Sequence, residues 1–389
     1  MERLHVAFFG PTNSGKSTLV NALAGQEVSL ASPIPGTTTD PVRKAIEIPG
    51  IGPCVLIDTA GLDDDSALGA ERARLTQRIL DETDVAVLLF PAEPCPSSHS
   101  EGRWARKWGE IVSSVPSLGT MGTPVVFVMT QADLGGTAPA DVLPVSARTG
   151  QGIPELLERI KSMLPKEEPR FLTGDLVKPG DTVLLVMPQD GEAPKGRLIL
   201  PQVQVIRELL DRGCNALCCT PESLGSALEH APALVITDSQ VFGEVERAIP
   251  KDWPLTSFSI LLAAAKGDVR TFVEGAAAID TLKTGDRVLV AEACTHVPDT
   301  EDIGRVKIPA LLRRKADVHI DVAAGDDFPE DLSPYALVIH CGACVATSRL
   351  VRARTRKALL AGVPITNYGI ALAKLKGILE RVRIPRPEA

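Results

Sequence analysis

The chain has 389 residues, 44% of them hydrophobic and 23% charged, and its 41 basic against 49 acidic side chains leave a net charge of −8. That length exceeds one ordinary core and predicts two or three domains. The acidic balance speaks against a surface built to coat nucleic acid. No apolar run approaches the ~18 residues of a membrane span. The first residues lack the basic start, apolar core and small-residue cleavage site of a secretory signal, so the cytoplasm is the expected compartment. Eight cysteines in a reducing compartment are expected to be core thiols, ligands or nucleophiles, not a disulfide framework. No clear internal repeat or low-complexity tract stands out.

Residues 1–168 alternate strand-like and helix-like patterns. Strands are expected over 4–9, 55–58, 85–90, 125–130 and 143–146, and helices over 16–24, 68–80 and 153–164. This order predicts a mostly parallel, doubly wound sheet with helices on both faces. The stretch 165–179, rich in charge and proline, reads as a linker. A second alternation, assigned to a domain over 175–267, has strands at 183–187, 216–220, 234–237 and 256–259, and a helix over 202–212 opened by Pro201. A third, over 268–389, has strands at 287–291, 318–321 and 336–340 and helices at 347–361 and 371–382. The fold class is therefore α/β throughout, in three domains.

Gly10-Pro-Thr-Asn-Ser-Gly15-Lys16-Ser17 matches the phosphate-binding pattern G-x-x-x-x-G-K-[ST], set between a predicted strand and helix. Glycines let the backbone N–H groups of such a loop wrap phosphates, here from Asn13 and Ser14 through Gly15 to Thr18, and the helix start adds partial positive charge. Lys16 is expected to reach the β- and γ-phosphates and Ser17 to hold Mg²⁺. Pro35-Gly-Thr-Thr-Thr-Asp40 resembles the switch I segment of translation-factor-like GTPases, with Thr38 as the sensor of Mg²⁺ and γ-phosphate. Asp58-Thr-Ala-Gly61 ends a strand, so Asp58 can face the metal and the Gly61 N–H the γ-phosphate. Thr130-Gln-Ala-Asp133 resembles [NT]-K-x-D, in which Asp133 accepts from both guanine N–H donors, and Ser146-Ala147-Arg148 resembles the loop that supports the base. The departure is Gln131, which covers the base without the usual lysine's charge.

Leu62 follows Gly61 where a glutamine would orient water, so intrinsic hydrolysis is expected to be slow. Asn13 stands where related slow GTPases bind K⁺, and K⁺ stimulation is the working hypothesis; the plain structural alternative is that Asn13 caps the loop. Lys16, Thr38 and Gly61 form the catalytic set.

Glu292-Ala-Cys294-Thr-His296 and His340-Cys341-Gly342-Ala-Cys344 each follow a predicted strand. Parallel strands bring such exits to one sheet edge, where ligand sites form. Three cysteines with His296 or His340 suit zinc, and thiolates suit an iron–sulfur cluster equally well; C-x-x-C is also a redox-dithiol pattern. The other cysteines read as small hydrophobes.

Together these features resemble the FeFe-hydrogenase maturation GTPases, the HydF family. Its pattern of C-x-H followed by H-C-x-x-C reads here as Cys294-Thr-His296 and His340-Cys-Gly-Ala-Cys344, and residues 193–211 also look like that family's. The resemblance covers the whole chain. It implies a TrmE/Era-like GTPase domain, a middle dimerisation domain and a C-terminal cluster-binding domain. It implies a 4Fe–4S cluster on Cys294, Cys341 and Cys344, and a transient di-iron cargo passed to apo FeFe-hydrogenase. Partners would be two radical-SAM maturases, the hydrogenase and a second copy of the chain, with neither membrane nor nucleic acid. A GTPase with a structural zinc domain acting on RNA, and a GTP-linked iron or redox sensor, are the alternatives.

Overall fold

The computed structural model describes residues 3–25, 41–61, 69–92, 122–164, 171–189, 196–293, 302–344 and 346–386, with side chains of the second helix from Leu75 onward. The chain forms two compact units, 1–166 and 167–389.

The first unit runs β1 (Leu4–Phe9), α1 (Lys16–Leu23), β2 (Val42–Ile48), β3 (Gly52–Asp58), α2 (Gly69–Glu82), β4 (Val85–Pro91), β5 (Val125–Thr130), β6 (Leu143–Pro144) and α3 (Ile153–Met163). Its sheet has the order β2-β3-β1-β4-β5-β6. All pairings are parallel except β2 with β3. Side chains alternate across a strand. Val6, Phe8, Leu56 and Val87 therefore pack under Leu19 of α1 and Leu156 of α3. Ala7, Phe9, Ile57 and Leu88 pack on the opposite face against Ile79 and Leu80 of α2. Helices cover both faces, as the pattern predicts. The register Phe8↔Asp58 sets the exits of β1 and β3 side by side. Two strand readings change. β2 is an additional edge strand whose residues are mostly exposed, so it carries no buried run. The strand expected over 143–146 pairs only at Leu143 and Pro144.

The second unit holds two four-stranded sheets. The first comprises β7 (Thr182–Val186), α4 (Leu200–Asp211), β8 (Asn215–Cys219), α5 (Leu224–Ala227), β9 (Leu234–Thr237), α6 (Phe242–Ala248), β10 (Leu255–Ser257), α7 (Phe258–Lys266) and α8 (Val269–Ala276). The second comprises β11 (Arg287–Ala291), α9 (Ile308–Arg313) entered from a π-helical turn, β12 (His319–Ala323), β13 (Leu337–His340), α10 (Ser348–Leu360), β14 (Ile365–Asn367) and α11 (Tyr368–Leu375). The orders are β10-β9-β7-β8 and β12-β11-β13-β14. Every pairing is parallel. Counted from the first strand of each sheet the two orders are the same, so the unit contains a structural repeat where the sequence reading expects none.

Segment ends also differ from the sequence reading. The strand expected over 256–259 stops at Ser257, whose hydroxyl accepts from the Ile260 N–H and caps α7. The helix expected over 371–382 starts at Tyr368 behind the Asn367 cap and stops at Leu375. Residues 171–177, read as linker, are packed onto α4. The Glu208 carboxylate accepts from the backbone N–H groups of Leu172 and Thr173 and from the Thr173 hydroxyl. Arg212 donates to the carbonyls of Gly174 and Val177. A polar composition looks like linker until α4 supplies the partners. One core joins both sheets, with Val235, Leu255 and Ile260 packed among Val290, Leu337 and Ile370. The segment after α11 closes it, as the Arg383 N–H donates to the Leu255 carbonyl at 2.8 Å.

Removing the Glu208 carboxylate leaves three donors, two of them on fully buried Thr173, without their acceptor. Glu208→Ala is expected to destabilise the second unit by about 2–3 kcal/mol. Urea unfolding with an unchanged midpoint would contradict this.

Candidate functional site

The phosphate loop leaves β1 at Gly10. A Cβ there would sit 2.6 Å from the Leu89 carbonyl oxygen, so the loop can pass β4 only as glycine. Gly15 takes φ 82° and Asn13 φ 61°, turning successive N–H groups inward ahead of α1. Lys16 is buried, and its Nζ donates to the carbonyls of Gly10 at 3.0 Å and Pro11 at 2.7 Å. The Thr130 hydroxyl, at the end of β5, donates to the Ser14 carbonyl at 2.6 Å and contacts the Phe90 carbonyl at 3.2 Å. Thr18 follows on the exposed side of α1.

Ser17 and Asp58, the two expected Mg²⁺ ligands within the described residues, meet with Oγ donating to Oδ2 at 2.5 Å. The other carboxylate oxygen, Oδ1, is buried with no hydrogen-bond partner. Burial pushes the Asp58 pKa up, against the pull of Ser17, Lys16 and Lys44. An orphaned carboxylate oxygen beside a hydroxyl suits a hard divalent cation. Gly61 follows Thr59, whose hydroxyl ties the segment to the Phe8 carbonyl at 2.7 Å. Thr38 and Leu62 lie outside the described residues.

Asp133 lies on a 3₁₀ turn after β5. Its Oδ1 accepts from fully buried Ser146 at 2.6 Å, and its Oδ2 from Arg148 Nε at 3.0 Å and Nη2 at 2.7 Å. The Ser146 bond first, with Arg148 adding to it, holds the Asp133 carboxyl below its usual range, so it is an ionised acceptor. Ala147 sits between the two donors, half-buried. Gln131 adopts φ 59°, and its Nε2 lies 3.5 Å from the Asn13 carbonyl, so its stem runs toward the phosphate loop.

The cysteine motif leaves β13. That strand lies beside β11 with Ala291 opposite His340, while β12 flanks β11 on its other side. The exits of β11 and β13 thus border the point where the strand order reverses. Cys341 is held at every polar atom. Its N–H donates to the Ala291 carbonyl at 2.8 Å, and its Sγ accepts from the N–H groups of Ala293 at 3.1 Å and Ala343 at 3.4 Å. Its carbonyl meets His340 Nδ1 at 2.9 Å and Asn367 Nδ2 at 3.4 Å. Ala343 takes φ 51°, a left-handed turn that brings the chain round to half-buried Cys344. Below this turn Lys266 Nζ donates to the carbonyls of Ala343 and Ala346 at 2.7 Å each, and to that of Cys344 at 3.3 Å.

His340 is 1% exposed. Its Nε2 faces Arg354 Nη1 at 3.3 Å, and an arginine has only protons to give, so Nε2 accepts and Nδ1 carries the proton. Burial, and then the Arg354 charge, push its pKa down to about 4, so the ring is neutral. Both nitrogens are engaged inside the protein, and His340 therefore braces the loop. Arg354 also donates to the carbonyls of Glu292 at 3.1 Å and Gly325, joining the exits of β11, β12 and β13. The Glu292 carboxylate, 2% exposed, takes a two-point bond from Arg305 at 2.8 and 3.1 Å, which ties the β11 exit to the turn before α9. The Tyr368 hydroxyl is buried among these groups with no partner of its own.

Cys294 and His296 lie outside the described residues, and among the described residues no group of three His, Cys, Asp or Glu is placed to hold a metal ion. Cys341 and Cys344 offer two soft donors on one turn, with N–H groups aimed at Sγ, a donor set that fits a thiophilic ion or cluster. The remaining described cysteines carry no such environment. Burial pushes the Cys54 and Cys219 thiols up to about 11 and raises Cys214 and Cys218 as well. Sequence reasoning missed Lys266, Arg354 and Asn367, none of which belongs to a motif.

Thr130 braces the phosphate loop, and Thr130→Val removes a donor from two carbonyls. Guanine-nucleotide affinity is expected to fall about tenfold, ~1.4 kcal/mol. Titration with a fluorescent GDP giving the wild-type Kd would refute that role.

A family model described as 50S ribosome-binding GTPase matches residues 5–131. The hydrogen maturase F dimerization domain matches 172–267, and the hydrogen maturase F tetramerization domain 270–385. The tRNA modification GTPase MnmE of Acidiphilium cryptum is 37% identical over 162 residues, 41% of this chain and 33% of the relative. MnmE of Methylobacterium sp. is 37% identical over 168 residues, with shares of 41% and 33%. The chain spans about a third of the length of these curated relatives. A crystal structure of Aquifex aeolicus Era bound to GDP.AlF4- is 24% identical, with a TM-score of 0.36 over 64% of this chain and 98% of that one. With a P-loop GTPase domain followed by both of that family's own domains, the chain belongs to the hydrogen maturase F family.

Proposed function

We propose that this chain is a GTP-dependent scaffold that holds a 4Fe–4S cluster and carries a di-iron precursor to apo FeFe-hydrogenase. The observation that carries the reading is the braced cysteine turn at the β11/β13 exits, in a chain whose first unit is a GTPase domain. Cys341 and Cys344, with Cys294 as the third thiolate, would hold the cluster. His340 is left out of the ligand set because both its ring nitrogens are engaged, so the fourth position falls to His296 or to an exchangeable ligand. The cluster supplies an iron site on which cargo can be held. Radical-SAM maturases would load the cargo, and oligomers built through the dimerization and tetramerization domains would present it.

At the nucleotide end, Ser17 and Asp58 would hold Mg²⁺, which neutralises phosphate charge. Lys16 exchanges its loop carbonyls for the β- and γ-phosphates. Asp133 takes the two guanine N–H groups, with Arg148 swinging aside from an exposed position. Thr38 and Gly61 would report the γ-phosphate, and the GTP and GDP states would then differ at the switch segments and gate docking or release. Turnover is slow and, through Asn13, stimulated by K⁺.

Three measurements test the reading. Anaerobic reconstitution is expected to give about four irons per chain and a 4Fe–4S EPR signal, lost in Cys294→Ser, Cys341→Ser and Cys344→Ser; tight zinc with no cluster signal would replace the scaffold with a structural zinc site. Asp133→Asn is expected to move preference from GTP toward xanthosine triphosphate, whose ring offers an acceptor where guanine offers a donor. GTPase rates equal in Na⁺ and K⁺ would remove Asn13 from the catalytic account.

A further inference from the structure

The repeat in strand order extends to the residues. Pro254-Leu-Thr-Ser-Phe-Ser-Ile-Leu-Leu-Ala-Ala-Ala-Lys-Gly267 and Pro364-Ile-Thr-Asn-Tyr-Gly-Ile-Ala-Leu-Ala-Lys-Leu-Lys-Gly377 are identical at 7 of 14 positions. Both stretches form the fourth strand and then, with no loop, the helix after it. The third strands, β9 and β13, share Ala-Leu-Val-Ile at 233–236 and 336–339. The first strands are entered through the same turn. Gly180 and Gly285 take φ 89° and 91°. The Lys178 N–H donates to Asp181 Oδ2 at 2.9 Å, and the Lys283 N–H to Asp286 Oδ2 at 2.8 Å. Two modules of one design therefore make up the second unit.

The helices that follow their fourth strands, α7 and α11, pack on each other, with Gly369 held against Ser259 by close contact. Each helix ends in the repeated Lys-Gly, and each lysine reaches across to the other module. Lys266, from the first module, holds the carbonyls of Ala343, Cys344 and Ala346 in the loop after β13. Lys376, from the second, lies 3.5 and 3.4 Å from the carbonyls of Ser239 and Gln240 in the loop after β9. The two contacts occupy equivalent positions in the two modules. Only one of them carries a C-x-x-C turn.

We propose that Lys266 is the positioning residue of the cysteine turn, a clamp supplied by the neighbouring module, through which the first module sets the geometry of the ligand pair. An ammonium has three N–H donors and the turn presents three carbonyls. Ala343 needs its left-handed conformation held, because a Cβ disfavours it. The proposal rests on the ligand reading of Cys341 and Cys344 given above.

The test uses the full chain and Cd²⁺ as probe, read by thiolate-to-metal absorption in competition with a chromophoric chelator. Lys266→Met is expected to weaken Cd²⁺ binding by about ten- to a hundredfold, the usual effect of losing an outer partner of a metal ligand. In reconstituted protein it should also lower the cluster's midpoint potential, because a positive charge is lost. Lys376→Met makes the matching lesion in the equivalent contact of the other module and is expected to leave both readouts at wild type. If Lys266→Met does not fold, Lys266→Gln, which keeps one neutral donor group, is expected to show the same weakening. Equal losses in the Lys266 and Lys376 variants would reduce the effect to general destabilisation and overturn the proposal. Wild-type affinity in the Lys266 variant would overturn it while leaving the ligand reading intact. Wild-type protein that binds neither Cd²⁺ nor a cluster would overturn the ligand reading and the clamp with it.

Discussion

β11 and β13 run side by side in the same direction, which obliges the chain to leave both at one edge of the sheet. Parallel pairing thus brings residues from distant parts of the sequence together without any contact between the strands' own side chains being designed for it. The same geometry acts at the nucleotide end, where β1 and β3 are parallel neighbours and Ser17 meets Asp58 across 41 residues of sequence. Both sites therefore depend first on strand direction, and only then on the side chains that arrive.

What holds the arriving loops is a second shared feature, the use of buried cations on backbone carbonyls. A turn at a sheet edge exposes carbonyls that the ladder no longer satisfies, and leaving them unpaired in the interior is costly. Lys16 takes those of Gly10 and Pro11, Lys266 those of the cysteine turn, and Arg354 those of Glu292 and Gly325. The consequences differ. Phosphate is a stronger acceptor than a carbonyl, and in the function proposed above Lys16 exchanges its carbonyls for one. Lys266 sits beneath the loop, and the thiols above it are the groups a ligand would take. One cation is therefore poised to move and the other to stay.

Much of this was legible before any coordinates. The phosphate loop is contiguous, and its glycines, lysine and serine have to be neighbours because one turn supplies the whole cradle. The buried strands of the first unit read clearly from their continuous apolar runs. β2 did not, since an exposed edge strand has little apolar face to show, and β14 is only three residues long. The linker reading failed at Thr173 for a related reason, because a polar side chain gives no sign of whether its partner is water or Glu208. His340 passed as a ligand candidate by adjacency to Cys341, and only its burial against Arg354 shows where its two nitrogens are used.

The sequence by itself determined the local chemistry: a P-loop pattern, an aspartate at the [NT]-K-x-D position, a C-x-x-C turn and the α/β character of each part. These rest on residues close in the chain, where spacing alone fixes what the backbone can do. Tertiary structure decided the partners that come from far away. Arg148 and Ser146 on Asp133, Arg354 on His340, and Lys266 under the cysteine turn arise from packing of separate elements, and no short-range pattern encodes them. The duplicated modules lie between these cases. Their likeness is written at Pro254–Gly267 and Pro364–Gly377, but it acquires meaning only when the two helices cross and each lysine is seen to serve the other module's loop.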